Sequence, residues 1–370
     1  MNWLAGMIAA GIAYDLIKKA TLYSLGSIST EGTSLPENHF DSLSRNYEFW
    51  YHDDRNAINM PLFSGNHKTY SCAVSFFKHP ALAEHCYHDP ENVQVYIKNQ
   101  DYQLDKEYPQ KDLLEKADDC FKNEGRYFNE EENRRLMRIA EISRQENEVC
   151  IIAQPTTYNI QAVTNLVMDM KHSDGFSWRE KILKASGNKY ELEPLETSKL
   201  ANTLGVSILF ELGDGSIVFP LRHNVAIFRN MWGATCSFAC NWNNNTNNPE
   251  SLMNFLKEPI RDHVFDELGF REDEYEYEPL ALCREWYRGG KPQIFFKGTT
   301  SINKDELHKR LQSAQHRDEI KPARLHSISG RRVFLNCKNR KKHAWSPEAM
   351  MNLQLLRWFD EANNQTSGTF

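Results

Sequence analysis

The chain has 370 residues and a formal net charge of −6, with 40% hydrophobic and 25% charged residues. That length exceeds an ordinary domain of about 100 to 200 residues, so one long or two modest domains are expected, with enough chain to bury a core. The composition excludes a disordered chain, and the negative balance excludes generic nucleic-acid binding.

Eight dispersed cysteines without a C-x-x-C pair point to a reducing, cytoplasmic compartment and not to a disulfide framework. His79, His85, Cys86 and His88 lie close in sequence but lack the paired spacing of a zinc module. Basic residues gather at Arg331, Arg332 and from Lys338 to His343, which reads as a solvated edge or loop, or as a surface for phosphate or a partner.

Taken in chain order, residues 1–25 come first. The segment up to Tyr14 is uncharged, and it is shorter than the roughly 20 apolar residues that a membrane span needs. Ala5, Ala9 and Ala13 repeat at i, i+4 and i+8, a spacing that lets helices approach closely. Packing on its own domain, self-association and membrane contact all fit; assembly or membrane contact is the working expectation, which makes the protein cytoplasmic or membrane-associated.

Residues 26–149 read as a small α+β region, opening on a loop-rich stretch to about Pro61. Residues 69–77 (TYSCAVSFF) and 93–97 (VQVYI) have strand composition. Residues 111–124 predict a helix, and Leu136, Ile139 and Ile142 give residues 131–144 the spacing of another. A strand over 148–153 then opens the main domain, residues 150–360, which is followed by a tail, 361–370.

Within that domain, residues 204–211 and 216–221 flank Asp214–Gly215 as a hairpin, and residues 234–240 form another strand. A helical stretch begins after Pro249 and closes at Gly269, a suitable C′ residue. Pro259 is expected at the first position of the functional helix, 259–268, because proline disrupts a helix interior.

On that helix His263, Asp266 and Glu267 stand at i, i+3 and i+4, while Glu258, Asp262 and Asp266 repeat every fourth residue. Like charges so spaced repel one another, and a divalent cation between them removes that cost. A solvated acidic face is the plainer alternative.

At this point the sequence resembles the Nudix family, whose box reads G-x5-E-x7-R-E-U-x-E-E-x-G-U. Residues 262–270 (DHVFDELGF) fall on its second half, with Glu267, Gly269, Val264 and Phe270 retained. Asp214–Gly215, Arg222, Val225–Ala226 and Trp232 are similar to the strand-loop-strand ahead of the box in large Nudix proteins. Thr156–Thr157–Tyr158, Thr164–Asn165 and residues 346–359 are similar to flanking segments. The departures are Asp262 and His263 in place of Arg-Glu, Asp266 for the first Glu of the later pair, and asparagines in place of the glycine-rich start.

The resemblance implies a Nudix-type α/β/α sandwich preceded by the small α+β region and the apolar N-terminal helix. It implies Asp262, His263, Asp266 and Glu267 as ligands for Mg²⁺ or Mn²⁺, with His263, Asp266 and Glu267 in any catalytic role. Arg222 and Trp232 are the implied nucleotide contacts. Two functions follow. One is a nucleotide or dinucleotide sensor whose N-terminal helix drives homo-oligomer assembly or membrane contact, an architecture similar to bacterial antiviral proteins. The other is a metal-dependent hydrolase of a nucleoside-diphosphate-linked substrate. A structural protein with a vestigial site is the third reading.

Overall fold

The computed structural model describes residues 57–59, 68–80, 82, 84–123, 133–145, 148–168, 170–185, 192–223, 225, 231–242, 249–285, 288–315, 320–329 and 346–367. The N-terminal helix expected over 1–25, the asparagine run 243–248 and the basic run 338–343 lie outside them. Among the described residues no helix is long and apolar enough to cross a membrane.

The fold is mixed α/β, with two sheets and six helices among the described residues. The larger sheet contains β1 (Ala57–Asn59), β2 (Lys68–Ser75), β6 (Gly205–Glu211), β7 (Ser216–Arg222), β8 (Cys236–Ala239), β10 (Tyr275–Glu285), β11 (Lys291–Thr300) and β12 (Ile320–Ser329). Its order is β1-β2-β10-β11-β6-β7-β12, with β8 also paired to β6. Only the β11–β6 pair among these is parallel. The smaller sheet runs β4 (Arg135–Gln145), β5 (Glu148–Thr157), β3 (Val93–Ile97) and β9 (Glu250–Ser251). The boundary expected at 149/150 falls inside the β4–β5 hairpin, and both sheets draw strands from either side of it.

Helices α1 (Gln110–Asn123), α2 (Tyr158–Val163), α3 (Trp178–Ala185), α4 (Leu252–Leu268), α5 (Lys304–Ser313) and α6 (Pro347–Ser367) complete the chain. On one face of the larger sheet, Val206, Ile208, Val218, Ile294 and Phe296 pack against α4, α5 and the smaller sheet. On the other, Leu209, Ile217, Phe219 and Phe295 pack against Met351, Leu355 and Trp358 of α6. Alternate residues of β6 thus enter different cores, and its six residues from Gly205 to Phe210 are all buried. A third cluster, around Leu113, Val163, Met168 and Trp178, joins α1, α2 and α3.

Two expectations are corrected. Where a helix is expected over 131–144, the described residues Arg135–Gln145 form a strand, β4. The spacing from Ile139 to Ile142 that suggested a helix is made by a β-bulge between Ile139 and Glu141, which inserts one residue and switches the inward parity. Met137 and Ile139 point into the core before it, and Ile142 packs there after it.

Pro259 does not open the functional helix, because α4 begins seven residues earlier at Leu252 and Pro259 lies in its interior. Ser251 is the N-cap, its Oγ accepting from Asn254 N at 3.3 Å, and this cap fixes the start. The buried Pro259 ring fits the apolar stripe beside Phe255, Leu256 and Ile260, so tertiary burial offsets part of the cost of the missing backbone N–H. The helix ends where expected, on Gly269 at φ 70°, whose N–H reaches Phe265 O at 2.8 Å.

Candidate functional site

Helix α4 carries two parallel rows of polar side chains, each at i, i+4 spacing and about 100° apart around the axis. His263 and Glu267 form the row facing β8, and both are buried. The His263 ring stacks on Phe238 with centroids 3.9 Å apart and planes at 8°. Its Nε2 lies 3.4 Å from Asn241 Nδ2, and its Nδ1 lies 3.7 Å from Glu267 Oε1. The other Glu267 oxygen accepts from Ser237 N at 3.3 Å. With the Asn241 amide donating to Nε2, the imidazole proton sits on Nδ1 and faces the Glu267 carboxylate.

Asp262 and Asp266 form the second row. Asp262 is exposed and paired with Arg261 Nη2 at 2.8 Å, while Asp266 is half-buried. Both line an open depression of about 450 Å³ with Arg261, Phe265, Phe270, Arg271 and a third carboxylate, Glu272. Phe265 is 55% exposed, so an aromatic face stands in solvent beside two guanidinium groups and three carboxylates. Arg271 does not rest free, because its Nη2 holds Glu274 Oε1 at 3.2 Å.

Four side chains expected to act together are therefore distributed over two neighbouring faces. Among the described residues no group of three or more His, Cys, Asp or Glu side chains is arranged to hold a metal ion. Trp232 is not brought to this helix: it is buried in the core under α6, on the opposite face of the large sheet, and its carbonyl accepts from Ser346 N at 2.8 Å. Arg222 ends β7, its N–H bound to Met231 O at 2.9 Å and its stem against Gly233. A Cβ on Gly233 would lie 2.8 Å from Arg222 Cδ, so a larger residue there would displace the arginine stem.

Sequence reasoning missed Phe265, Arg271 and the two partners of the His263 ring, Phe238, which stacks on it, and Asn241, which lies within hydrogen-bonding distance. Phe265 had a legible signal, being a large apolar residue on the polar stripe of an amphipathic helix. Phe238 and Asn241 had none, because only strand-to-helix packing places them.

A second polar concentration was also missed. Arg288 is buried between Glu285, whose Oε1 accepts from its Nη2 at 2.7 Å, and Glu348 at the start of α6. Tyr70 Oη donates to Glu285 at 3.2 Å, and the buried Lys291 Nζ reaches Gln293 Oε1 at 3.3 Å. Burial pushes the Glu285 carboxyl up, while burial and the nearby Arg288 charge bring Lys291 down to about 8. The Thr164–Asn165 pair serves this region. Asn165 Nδ2 donates to Arg288 O at 2.8 Å, and its Oδ1 accepts from Asn202 N at 2.8 Å, holding Asn202 in a left-handed conformation at φ 44°. Thr157 caps α2 by accepting from Ile160 N at 3.4 Å.

No family model matches the chain, and no curated protein matches it. Among solved structures, it has a likeness to DR0079 from Deinococcus radiodurans, at 11% identity and a TM-score of 0.28 over 42% of this chain and 83% of that one. A likeness at this level carries no argument about fold or activity.

Proposed function

We propose that the domain around α4 is a divergent Nudix-type module that binds a metal–nucleotide diphosphate and acts as a sensor. The observation that carries the reading is the placement of Asp262 and Asp266 on one depression with Arg261, Arg271 and Phe265. Mg²⁺ commonly takes one or two carboxylates and completes its shell with substrate phosphates and water, so this pair suits a cation that arrives with its nucleotide. The cation would offset phosphate charge at an otherwise acidic rim. Arg261 and Arg271 would contact phosphate oxygens after exchanging their present carboxylate partners, and the Phe265 ring offers a face for a base.

Binding is favoured over turnover because the helix's imidazole is committed to Phe238 and Asn241, and Glu267 to Ser237. A hydrolase reading would require that pair to leave its packing and act on water. The effector half of the proposal rests on the small-residue spacing of residues 1–25, and deleting them should lower the oligomeric mass or release the protein from liposomes.

The test is calorimetric titration of the full chain with ADP-ribose, NAD and dinucleoside polyphosphates, with and without Mg²⁺ or Mn²⁺, alongside phosphate-release assays. Metal-dependent binding that Asp262→Ala with Asp266→Ala removes is the expected result. Binding that survives the double substitution, or none across the panel, overturns the reading; turnover with unaltered protein transfers it to the hydrolase.

A further inference from the structure

Both cations that line the α4 depression rest on carboxylates, and the two pairs are not equivalent. Arg261 directs its Nε at 2.9 Å and its Nη2 at 2.8 Å to one oxygen of Asp262, Oδ1. Asp262 is also half of the aspartate pair that would seat a cation. Asp266, one turn further along α4, is half-buried and has no hydrogen-bond or ion-pair partner among the described residues. The third carboxylate, Glu272, is held by Lys257 at 3.3 Å. Of the two aspartates, then, one stands open and the other is covered by a guanidinium.

Arg271 is paired away from the aspartates. Its Nη2 reaches Glu274 Oε1 at 3.2 Å, and its backbone N–H donates to Glu274 Oε2 at 2.8 Å. Arg310 of α5 grips the same carboxylate through Nη1 at 2.7 Å and Nη2 at 3.0 Å. The Arg271 side chain is 69% exposed against 14% for Glu274, so it can swing to a phosphate while Arg310 keeps the carboxylate compensated. Release of Arg261 has a different consequence, because it uncovers Asp262 Oδ1 and takes a positive charge away from the cation's seat.

We propose that Arg261 couples the two ligands of this site: it covers Asp262 until a diphosphate draws it onto a phosphate oxygen, which opens the aspartate pair to the cation. Arg271 contacts phosphate and takes no part in that exchange. The inference rests on the reading of the depression as a metal–diphosphate site. Linkage makes the coupling reciprocal, so the factor by which diphosphate tightens the cation is also the factor by which the cation tightens diphosphate. Direct contact between cation and phosphate adds coupling of its own, and the deciding measurements are therefore made on each ligand alone.

The full chain is titrated with Mn²⁺ in phosphate-free buffer, with free Mn²⁺ read by electron paramagnetic resonance, and separately with metal-free inorganic pyrophosphate, read by calorimetry. Arg261→Gln should tighten Mn²⁺ by about two- to fivefold, the worth of an exposed ion pair, and Arg271→Gln should tighten it less. Asp262→Asn should tighten pyrophosphate by a similar factor, whereas Asp266→Asn, which removes the same charge without freeing an arginine, should not. The Mn²⁺ gain from Arg261→Gln should vanish when Asp262→Asn is also present. Unchanged or weaker Mn²⁺ binding by Arg261→Gln overturns the proposal. Equal gains from both arginine variants, or a gain that survives Asp262→Asn, overturn it too, since either marks a general field effect. If neither probe binds the unaltered chain or any variant, alone or together, the reading of the depression falls and the coupling with it. Binding of both without the exchange signature removes the coupling alone. The altered side chains are exposed or half-buried, and unchanged far-ultraviolet circular dichroism verifies that the variants fold.

Discussion

Replacing Arg288 with methionine removes the one cation seated between Glu285 and Glu348 while keeping an unbranched stem of similar length. Arg288 is 3% exposed and its guanidinium contacts both carboxylates, of Glu285 and Glu348, residues themselves 0% and 3% exposed. Water cannot take over those contacts without opening the junction between α6 and the β10–β11 hairpin. Breaking a buried pair from one side typically costs about 3 to 5 kcal/mol, because the remaining charge stays buried and uncompensated. Here the Lys291 ammonium also acts on Glu285, which places the expected loss near the lower end, about 3 kcal/mol. That is a large share of a usual stability of about 5 to 15 kcal/mol. Urea unfolding followed by circular dichroism at pH 7 measures it: with a slope of about 3 kcal/mol/M, the midpoint should fall by about 1 M. Adding Glu285→Gln and Glu348→Gln to the same chain should recover part of the loss, since no stranded carboxylate remains. A loss below about 1 kcal/mol for Arg288→Met would refute the argument, showing that the cluster relaxes or hydrates at little cost.

The neighbouring Lys291, brought by burial from 10.5 to about 8, supplies a prediction on the alkaline side. Between those values the unfolded chain binds more proton at this residue, so its contribution makes stability rise with pH there, and the full cost of the buried ammonium persists below it. The unfolding free energy of the wild type minus that of Lys291→Met should climb from pH 8 to about pH 10; a flat difference would contradict the burial argument. Glu274, held down to about 2 chiefly by Arg310, titrates the other way: its contribution is complete above the ordinary 4.5 and lost as pH falls through 2. Glu274→Gln should therefore destabilise at pH 6 and match the wild type near pH 2, with an equal deficit at both counting against the Arg310 clamp. Restoring a backbone N–H to the interior of α4 by Pro259→Ala should stabilise by about 1 to 3 kcal/mol in thermal or urea unfolding, and a loss would mean that the ring's packing outweighs the hydrogen bond.

Much of the secondary structure is local chemistry and could be read from the chain. β3 is residues 93–97 as expected, because alternating β-branched residues suit a pleated surface half buried against neighbours. The expected helix over 111–124 is α1, and Asp214–Gly215 makes the turn into β7 with Gly215 at φ 74°. Gly269 closes α4 because the left-handed C′ conformation costs glycine little. The closing helix was also legible, although α6 continues to Ser367 and absorbs most of the expected tail.

What the tertiary structure alone decided is which local possibilities survive contact with distant residues. β4 reads as a helix until its partner β5 imposes a bulge that sequence spacing cannot reveal. Pro259 reads as a helix start until the core offers its ring a place inside one. The strand over 148–153 expected to open the main domain pairs with β4, on the other side of the boundary at 149/150. The polar quartet on α4 is the same kind of case: sequence puts Asp262, His263, Asp266 and Glu267 within one and a half turns, and helical geometry alone allows them to converge. The orientation of the helix against β8 turns one row into the protein and leaves the other at the surface. Periodicity is set by bonds between near neighbours and is written in the chain, whereas the direction a face points is set by whichever remote surface excludes water from it.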